Sequence, residues 1–408
     1  MIKPELILPA GNREKVSYAV AYGADAVYAG LPHLSLRSKY ISFNEHSLSQ
    51  AVEETRGLGK RFYVALNLFA HEGDLDRVSR FLDYTVEQKP DALIISDPGI
   101  LRLIRRRNID IPLHLSTQAN ATNSEALNFW RDQGVKRVIL ARELRYKELE
   151  RIGELSDGME IEIFVHGAMC VSYSGRCLLS NYLTGRDANR GECAGTCRWR
   201  YALVEESRGD EHFEIEEDER GTYILNSRDL CLLHRIPQLK SLPIHGYKVE
   251  GRTKNLLYVA LIARAYRRII DDVFERGSVD IDSDASRLIE LTDNHGFTEG
   301  FLFPGTDHMQ NYGQGAVRSQ QVLGFIREWG NREIHVTVKN PLSVGDEVIG
   351  ISPDALVPFK ILELRTGGES MKVAYGSMGH EVRVRIDKRL PGTGWDYGIL
   401  VRGELTSK

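Results

Sequence analysis

Only five cysteines occur in 408 residues, far too few for the disulfide framework that staples small secreted domains. No apolar run approaches the roughly 20 residues that span a bilayer. The N-terminus, MIKPELILPAGN, enters a strand-like apolar run without the layout of a signal peptide. A cytoplasmic location with reduced thiols is therefore expected. Neither sign of charge dominates: the net value is −4, so nothing global announces a nucleic-acid partner. Several motifs are also missing. There is no H-E-x-x-H and no G-x-S-x-G, so neither a zinc protease nor a serine hydrolase has support. The first strand-like run leads into PAGNRE rather than G-x-G-x-x-G, which argues against an open dinucleotide-binding sheet. No internal repeat or low-complexity tract is present.

Short apolar runs alternating with amphipathic segments are what the chain does have. ELILPAGN, ADAVYAG, RFYVALNLF, DALIISD, LHLSTQAN, RVILAREL, EIEIFVHGAMC and HGYKVEG are separated by helix-like stretches such as 46–59, 74–88 and 123–133. Buried strands alternating with helices indicate a parallel sheet. Eight such units before residue 252 predict an α/β fold of the (β/α)8, TIM-like barrel class. Beyond about residue 310 the pattern changes to short strands divided by Gly, Pro, Asn and Asp, which reads as a small all-β barrel. The expected organisation is a barrel over 1–310 with a cysteine-bearing insertion at 167–222, a linker over 311–332, and a small β-barrel over 333–408.

Active sites of such barrels lie at the C-terminal ends of the strands. Those ends carry Asn12, Tyr28, Asn67, Asp97, Ser116 with Gln118, Arg142 with Glu143, His166, and Lys248 with Glu250 and Arg252. Any one of them is explained by exposure of a strand end; the set reads as a lined pocket. Glu250, His166 and Asp97 are the candidate acid–base groups. Asn67, Gln118, Arg142, Lys248 and Arg252 are candidate substrate ligands, joined by Arg176 and Arg198 from the insertion. The run RLIRRR at 102–107 fits the outer face of a barrel helix better than a nucleic-acid patch.

Four of the five cysteines, Cys170, Cys177, Cys193 and Cys197, fall within 28 residues after the seventh strand, spaced C-x6-C-x15-C-x3-C. Thiolates at this spacing suit an iron–sulfur cluster or a structural zinc. Only Cys193 and Cys197 form the close pair usual in zinc sites. Spacing alone leaves cluster, zinc and no metal open. Cys170 and His166, four apart, also suggest a nucleophilic pair, but a cysteine with three neighbours reads better as a metal ligand. Cys231, in LCLLHRI, reads as a buried small side chain on a helix face. Five arginines, Arg176, Arg186, Arg190, Arg198 and Arg200, face only Asp187 and Glu192 in this stretch, a local surplus suited to an anion or a cluster.

The stretch EIFVHGAMCVSYSGRCLLS resembles the signature of the collagenase-like peptidase family U32: Glu162, Phe164, Gly167, Cys170, Gly175, Cys177 and Ser180 all match it, as do ELILPAGN, GADAVYAG and KVEGRTK. The resemblance spans at least residues 5–320. Within the family the chain is similar to the branch that hydroxylates RNA, through GRDANRGECAGTCRWRY, GTYILNSRDL, GFTEGFLF and QNYGQG. That resemblance implies a [4Fe–4S] cluster on Cys170, Cys177, Cys193 and Cys197, and prephenate as co-substrate. It also implies oxygen-independent conversion of the tRNA wobble uridine to 5-hydroxyuridine, with a partner protein from the same family as a further expectation. Prephenate is a dicarboxylate, which Arg142, Lys248 or Arg252 would bind. Unstacked anticodon bases would stack on Tyr173, Tyr182, Trp199 or Tyr201, unless those rings pack the loop itself. Hydroxylation of ribosomal RNA or of a quinone precursor, a U32 peptidase, and a zinc-stabilised RNA-binding protein without catalysis are the alternatives.

Overall fold

The computed structural model describes residues 2–31, 34–35, 42–156, 158–170, 172–199, 217–218, 221–222, 228–277, 283–303, 321–376 and 380–402. Strands β1 (Glu5–Pro9), β2 (Ala26–Ala29), β3 (Arg61–Leu66), β4 (Ala92–Ile95), β5 (Leu113–Leu115), β6 (Arg137–Ile139) and β7 (Glu160–Ala168) follow one another in sequence and in space. An extra strand, β8 (Asp229–Cys231), comes before β9 (Gly246–Val249). β9 pairs in parallel with both β1 and β7, which closes an eight-stranded parallel barrel. Helices α1 (Arg13–Ala21), α2 (Glu45–Gly57), α3 (Leu75–Gln88), α4 (Pro98–Arg106), α5 (Ser124–Asp132) and α6 (Tyr146–Leu155) connect the strands. After the excursion beyond β7, which carries α7 (Leu179–Thr184) and α8 (Ile236–Leu239), α9 (Leu256–Asp271) and α10 (Ser283–Glu290) complete the helices. The arginine-rich segment 102–107 lies largely in α4, whose buried residues are Ile100, Leu101 and Ile104, while Arg105 and Arg106 are exposed. No helix among the described residues is long and apolar enough to cross a membrane.

Helix starts are written locally. Asn12, Asn44, Asp97, Asn123 and Asn255 each accept a backbone N–H from the first turn of the helix they precede. Such caps satisfy donors that have no partner within the helix.

Two expectations need correction. The segment 311–332 is not a linker throughout: β10 (Val322–Trp329) is an integral strand of the second sheet. QVLGFIREW reads as a short strand of the all-β region, so only the boundary at 333 was set too late. The excursion after β7 also runs past residue 222, because β8 returns antiparallel to β7, pairing Leu230 with Gly167. Cys231 therefore lies on a strand and not on a helix face.

The second sheet contains β10, β11 (Glu333–Val338), β12 (Glu347–Ile351), β13 (Leu356–Thr366), β14 (Glu381–Ile386) and β15 (Ile399–Arg402). The pairings β12–β15, β15–β10, β10–β11, β11–β14, β14–β13 and β13–β12 close an antiparallel six-stranded barrel. It docks on the outer helices of the large barrel. The Tyr22 hydroxyl donates to the Ile351 and Tyr397 carbonyls at 3.0 and 2.9 Å. Buried Arg264 donates to the Ser352 and Ala355 carbonyls, both at 2.9 Å.

Candidate active site

Side chains alternate across a strand, and one set fills the barrel interior. Its lower layer is charged. Glu5 on β1, Tyr63 on β3, Arg137 on β6, and Glu160 and Glu162 on β7 meet although most of their strands are not neighbours. Arg137 Nη1 lies 2.6 Å from Glu5 and 3.4 Å from Glu162, and its Nη2 lies 2.6 Å from Glu160. Tyr63 donates to Glu5 at 2.9 Å. Glu162, wholly buried, accepts from Lys248 Nζ at 2.8 Å. Burial lowers the Lys248 ammonium pKa, against the attraction of Glu162.

Above this layer a cavity opens at the C-terminal ends of the strands. Asn67, Gln118, Arg142, Lys248, Glu250 and Arg252 line it, together with Cys170, Cys177, Cys193 and Cys197 from the insertion. The Tyr28 hydroxyl lies 3.3 Å from Glu250 Oε2, and its ring carries Lys248 Nζ at 3.9 Å and the Arg252 guanidinium at 5.7 Å. Asn67 donates to Gln118 Oε1 at 2.6 Å. This holds the Gln118 amide so that its buried Nε2 has no hydrogen-bond partner among the described residues. A buried donor left open in this way favours a ligand carbonyl.

Local bonds pin the insertion over the cavity. Arg142 donates to the Ala168 carbonyl at 2.7 Å and to Ser174 Oγ at 2.6 Å. Buried Asp74 takes both bonds from Arg190, at 2.9 and 2.7 Å. Asn189 donates to the Cys177 carbonyl at 3.0 Å, and Arg186 to the Cys193 carbonyl at 3.1 Å. Ser180 joins the Arg186 carbonyl to the Ala194 amide. Two glycines are obligatory here. Gly167 has φ +108°, and a Cβ would sit 2.1 Å from the Glu250 carbonyl oxygen; Gly175 has φ +74° and packs against Gln118 and Phe69. All five cysteines are free of disulfides. The four insertion thiols surround the cavity wall, and no three His, Cys, Asp or Glu side chains among the described residues are close enough to hold a single ion.

Two of the expected acid–base groups stand elsewhere. Asp97 is the N-cap of α4, its Oδ1 accepting from Ile100 at 3.1 Å, and it does not line the cavity. The Asp-Pro-Gly sequence at 97–99 was the available signal, since proline favours the first helical position. His166 also misses the cavity. The register between β7 and β9 shifts at this point, pairing Lys248 with Phe164 but Val249 with His166. This extra residue turns the imidazole outward against Tyr258, Tyr266 and Phe297. A Cys170–His166 nucleophilic pair is therefore not formed. Of the remaining expected residues, Arg176 lies outside the cavity with its guanidinium 5.3 Å from the Phe69 ring centre. The Arg198 side chain, Arg200 and Tyr201 lie outside the described residues. Tyr173 lines the cavity, Tyr182 is 88% exposed on α7, and Trp199 is also exposed. Arg186 and Arg190 are engaged in holding the loop.

Burial holds the His166 pKa down at about 3, and His114 is lowered by burial and by Arg137. The unfolded chain takes up these protons below about pH 6.5, whereas folded His166 does not until about pH 3. Stability is thus fully present above pH 6.5 and falls as pH drops, by about 1.4 kcal/mol per pH unit for His166, with His114 acting in the same direction. Urea unfolding between pH 6.5 and 5, above the carboxylate range, is expected to show this slope, and His166→Gln to remove one proton from it. An unchanged slope in the variant refutes the assignment.

The fold and cavity define a closed (β/α)8 barrel protein with a thiol-bearing loop over its catalytic face. The family model described as "Peptidase family U32" matches residues 11–311, and the chain belongs to that family. The "tRNA hydroxylation protein P" of Escherichia coli K12 is 40% identical, covering 100% of this chain and 99% of the relative. The Haemophilus influenzae protein of the same name is 37% identical over 98% and 96%. The "23S rRNA 5-hydroxycytidine C2501 synthase" of Escherichia coli K12 is 30% identical, covering 90% of this chain and 55% of that protein.

Proposed function

We propose that the chain is an RNA-modifying enzyme that hydroxylates the wobble uridine of tRNA to 5-hydroxyuridine, independently of molecular oxygen and with prephenate as co-substrate. Four cysteines outside any disulfide on the wall of one cavity carry this reading, and full-length similarity to relatives named for tRNA hydroxylation supports its substrate. The donor set fits a [4Fe–4S] cluster: Cys170, Cys177, Cys193 and Cys197 would hold it as thiolates. Such a group supplies electron transfer or a Lewis-acidic iron.

The chain's own residues supply binding and proton handling. Arg252 and Lys248 offer positive charge to a dicarboxylate. Gln118 Nε2 offers a donor to a uracil carbonyl. Glu250, hydrogen-bonded by Tyr28, can hold or release a proton at the cavity wall. Tyr173 at the cavity and Tyr182 on the loop offer faces to unstacked bases.

Nucleoside mass spectrometry of tRNA from a strain lacking the gene is the test. Loss of 5-hydroxyuridine, restored by this chain, is the expected result. Intact tRNA alongside loss of hydroxycytidine from ribosomal RNA would transfer the reading to the ribosomal substrate.

A further inference from the structure

The outer face of the small barrel holds a charge pattern that the catalytic cavity does not use. On β14, Val382, Val384 and Ile386 are buried while Arg383 and Arg385 point out. β11 pairs His335 with Arg383 and Glu333 with Arg385, and β13 pairs Arg365 with Arg383 and Glu363 with Arg385. Glu363 accepts from Arg365 Nε at 2.7 Å and Arg385 Nε at 3.1 Å, which orients both guanidiniums around one shallow depression. The Ile386 amide donates to the Arg332 carbonyl at 3.0 Å, bringing the 330–332 turn to the same end, and Lys388 and Arg389 follow directly, both exposed. Six cations, Arg332, Arg365, Arg383, Arg385, Lys388 and Arg389, thus face four acids, Glu328, Glu333, Glu363 and Asp387. The rest of residues 321–402 carries five cations against six acids, so the surplus is confined to this end.

Its position follows from the docking. Helix α1 starts at Asn12, directly after the C-terminal end of β1, and so runs away from the catalytic rim. Strand β10 climbs it in the opposite sense: Phe325 packs edge-on to Tyr18 at 5.9 Å, and Arg327 reaches Glu14 at 3.3 Å. Two strand residues advance about 6.6 Å, matching the roughly 6 Å between Tyr18 and Glu14 on the helix. Trp329 lies two residues further on, about another 6.6 Å, whereas Asn12 is only about 3 Å beyond Glu14. The 330–332 turn therefore stands level with the catalytic rim or above it, and the arginines beside it share that level.

We infer that this arginine-rich end of the small barrel is a second docking surface for the RNA substrate, gripping backbone phosphates while the target base enters the barrel cavity. The inference rests on the reading of the substrate as RNA. Its chemistry suits that polymer: exposed guanidiniums pair with phosphate oxygens in a sequence-independent way, and an overall acidic chain needs such a local basic face to hold a polyanion.

The test compares the wild-type full chain with Arg383→Glu/Arg385→Glu, using a tRNA transcript and a ribosomal RNA fragment in filter binding across a salt series, with hydroxylation of the same RNAs assayed in parallel. Arg383→Lys/Arg385→Lys, which keeps the charge, and Arg151→Glu on the distant α6 serve as controls. Charge reversal is expected to weaken RNA binding about tenfold or more and to reduce the salt slope by about two. The lysine pair should retain most of the affinity, Arg151→Glu should bind as wild type, and the reversed variant, although its glutamates face Glu333 and Glu363, should still unfold cooperatively. If wild type binds and hydroxylates tRNA while the reversed variant keeps its Kd and salt slope, the docking surface is overturned and the tRNA reading stands. If wild type prefers the ribosomal fragment and the reversed variant loses it, the docking surface stands and the tRNA reading falls. If wild type binds neither RNA, both fall.

Discussion

Replacing Cys170, Cys177, Cys193 or Cys197 singly by serine is expected to lower the yield of hydroxylated nucleoside by roughly 100-fold or more, since even the supporting residues of a metal site cost 10–100-fold when lost. Iron and sulfide in anaerobically purified protein are expected to fall in parallel. Serine is a poor replacement because its hard hydroxyl does not substitute for a soft thiolate. The loop fixes the backbone at two of the four cysteines. Asn189 and Arg186 bind the carbonyls of Cys177 and Cys193 themselves, and Arg190 bonds Asp74 beneath. A missing sulfur would thus leave a gap in a fixed frame and not a loop that re-forms around it. Cys231 is the internal control. Its thiol is pushed up to about 11 by burial, on a strand away from the cavity, so Cys231→Ser should keep iron, sulfide and hydroxylation. Full iron and activity in any of the four insertion variants would remove the cluster from the reading, and zinc in place of iron in wild type would move it to the structural-metal alternative.

The barrel was legible because its strands are short and apolar and alternate with helix-like amphipathic segments. The insertion was legible from its thiols. Three kinds of feature were not. Polar residues just past a strand serve either the cavity or the next helix start, and only the proline after Asp97, which caps α4, separates it in sequence from Asn67, which lines the cavity. A bulge leaves no mark in composition either: alternation from Glu162 through Phe164 carries His166 into the interior, and only the pairing with Val249 shows that it turns out. The charged layer went unseen for a third reason. Glu5, Arg137 and Glu162 sit in strands otherwise read as continuous apolar runs, each looking like a strand-end charge until the closed barrel brings them together.

That layer carries the largest stability effect. Glu162 is wholly buried between two cations, Lys248 at 2.8 Å and Arg137 at 3.4 Å. Glu162→Leu removes the carboxylate and leaves the Lys248 ammonium buried without its counter-charge, an arrangement that costs about 3–5 kcal/mol. Arg137 suffers less because Glu5 and Glu160 remain with it. The double variant Glu162→Leu/Lys248→Met is expected to be more stable than Glu162→Leu alone, since no orphaned charge is left and apolar groups replace a costly ion pair. Both variants should lose hydroxylation, because Lys248 lines the cavity and its ammonium would be displaced or absent. Urea unfolding of the wild type, the two single variants and the double variant closes the cycle. A Glu162→Leu cost under about 1 kcal/mol, or strictly additive losses in the double variant, would show that Lys248 does not depend on Glu162 and that the buried layer does not brace the cavity floor.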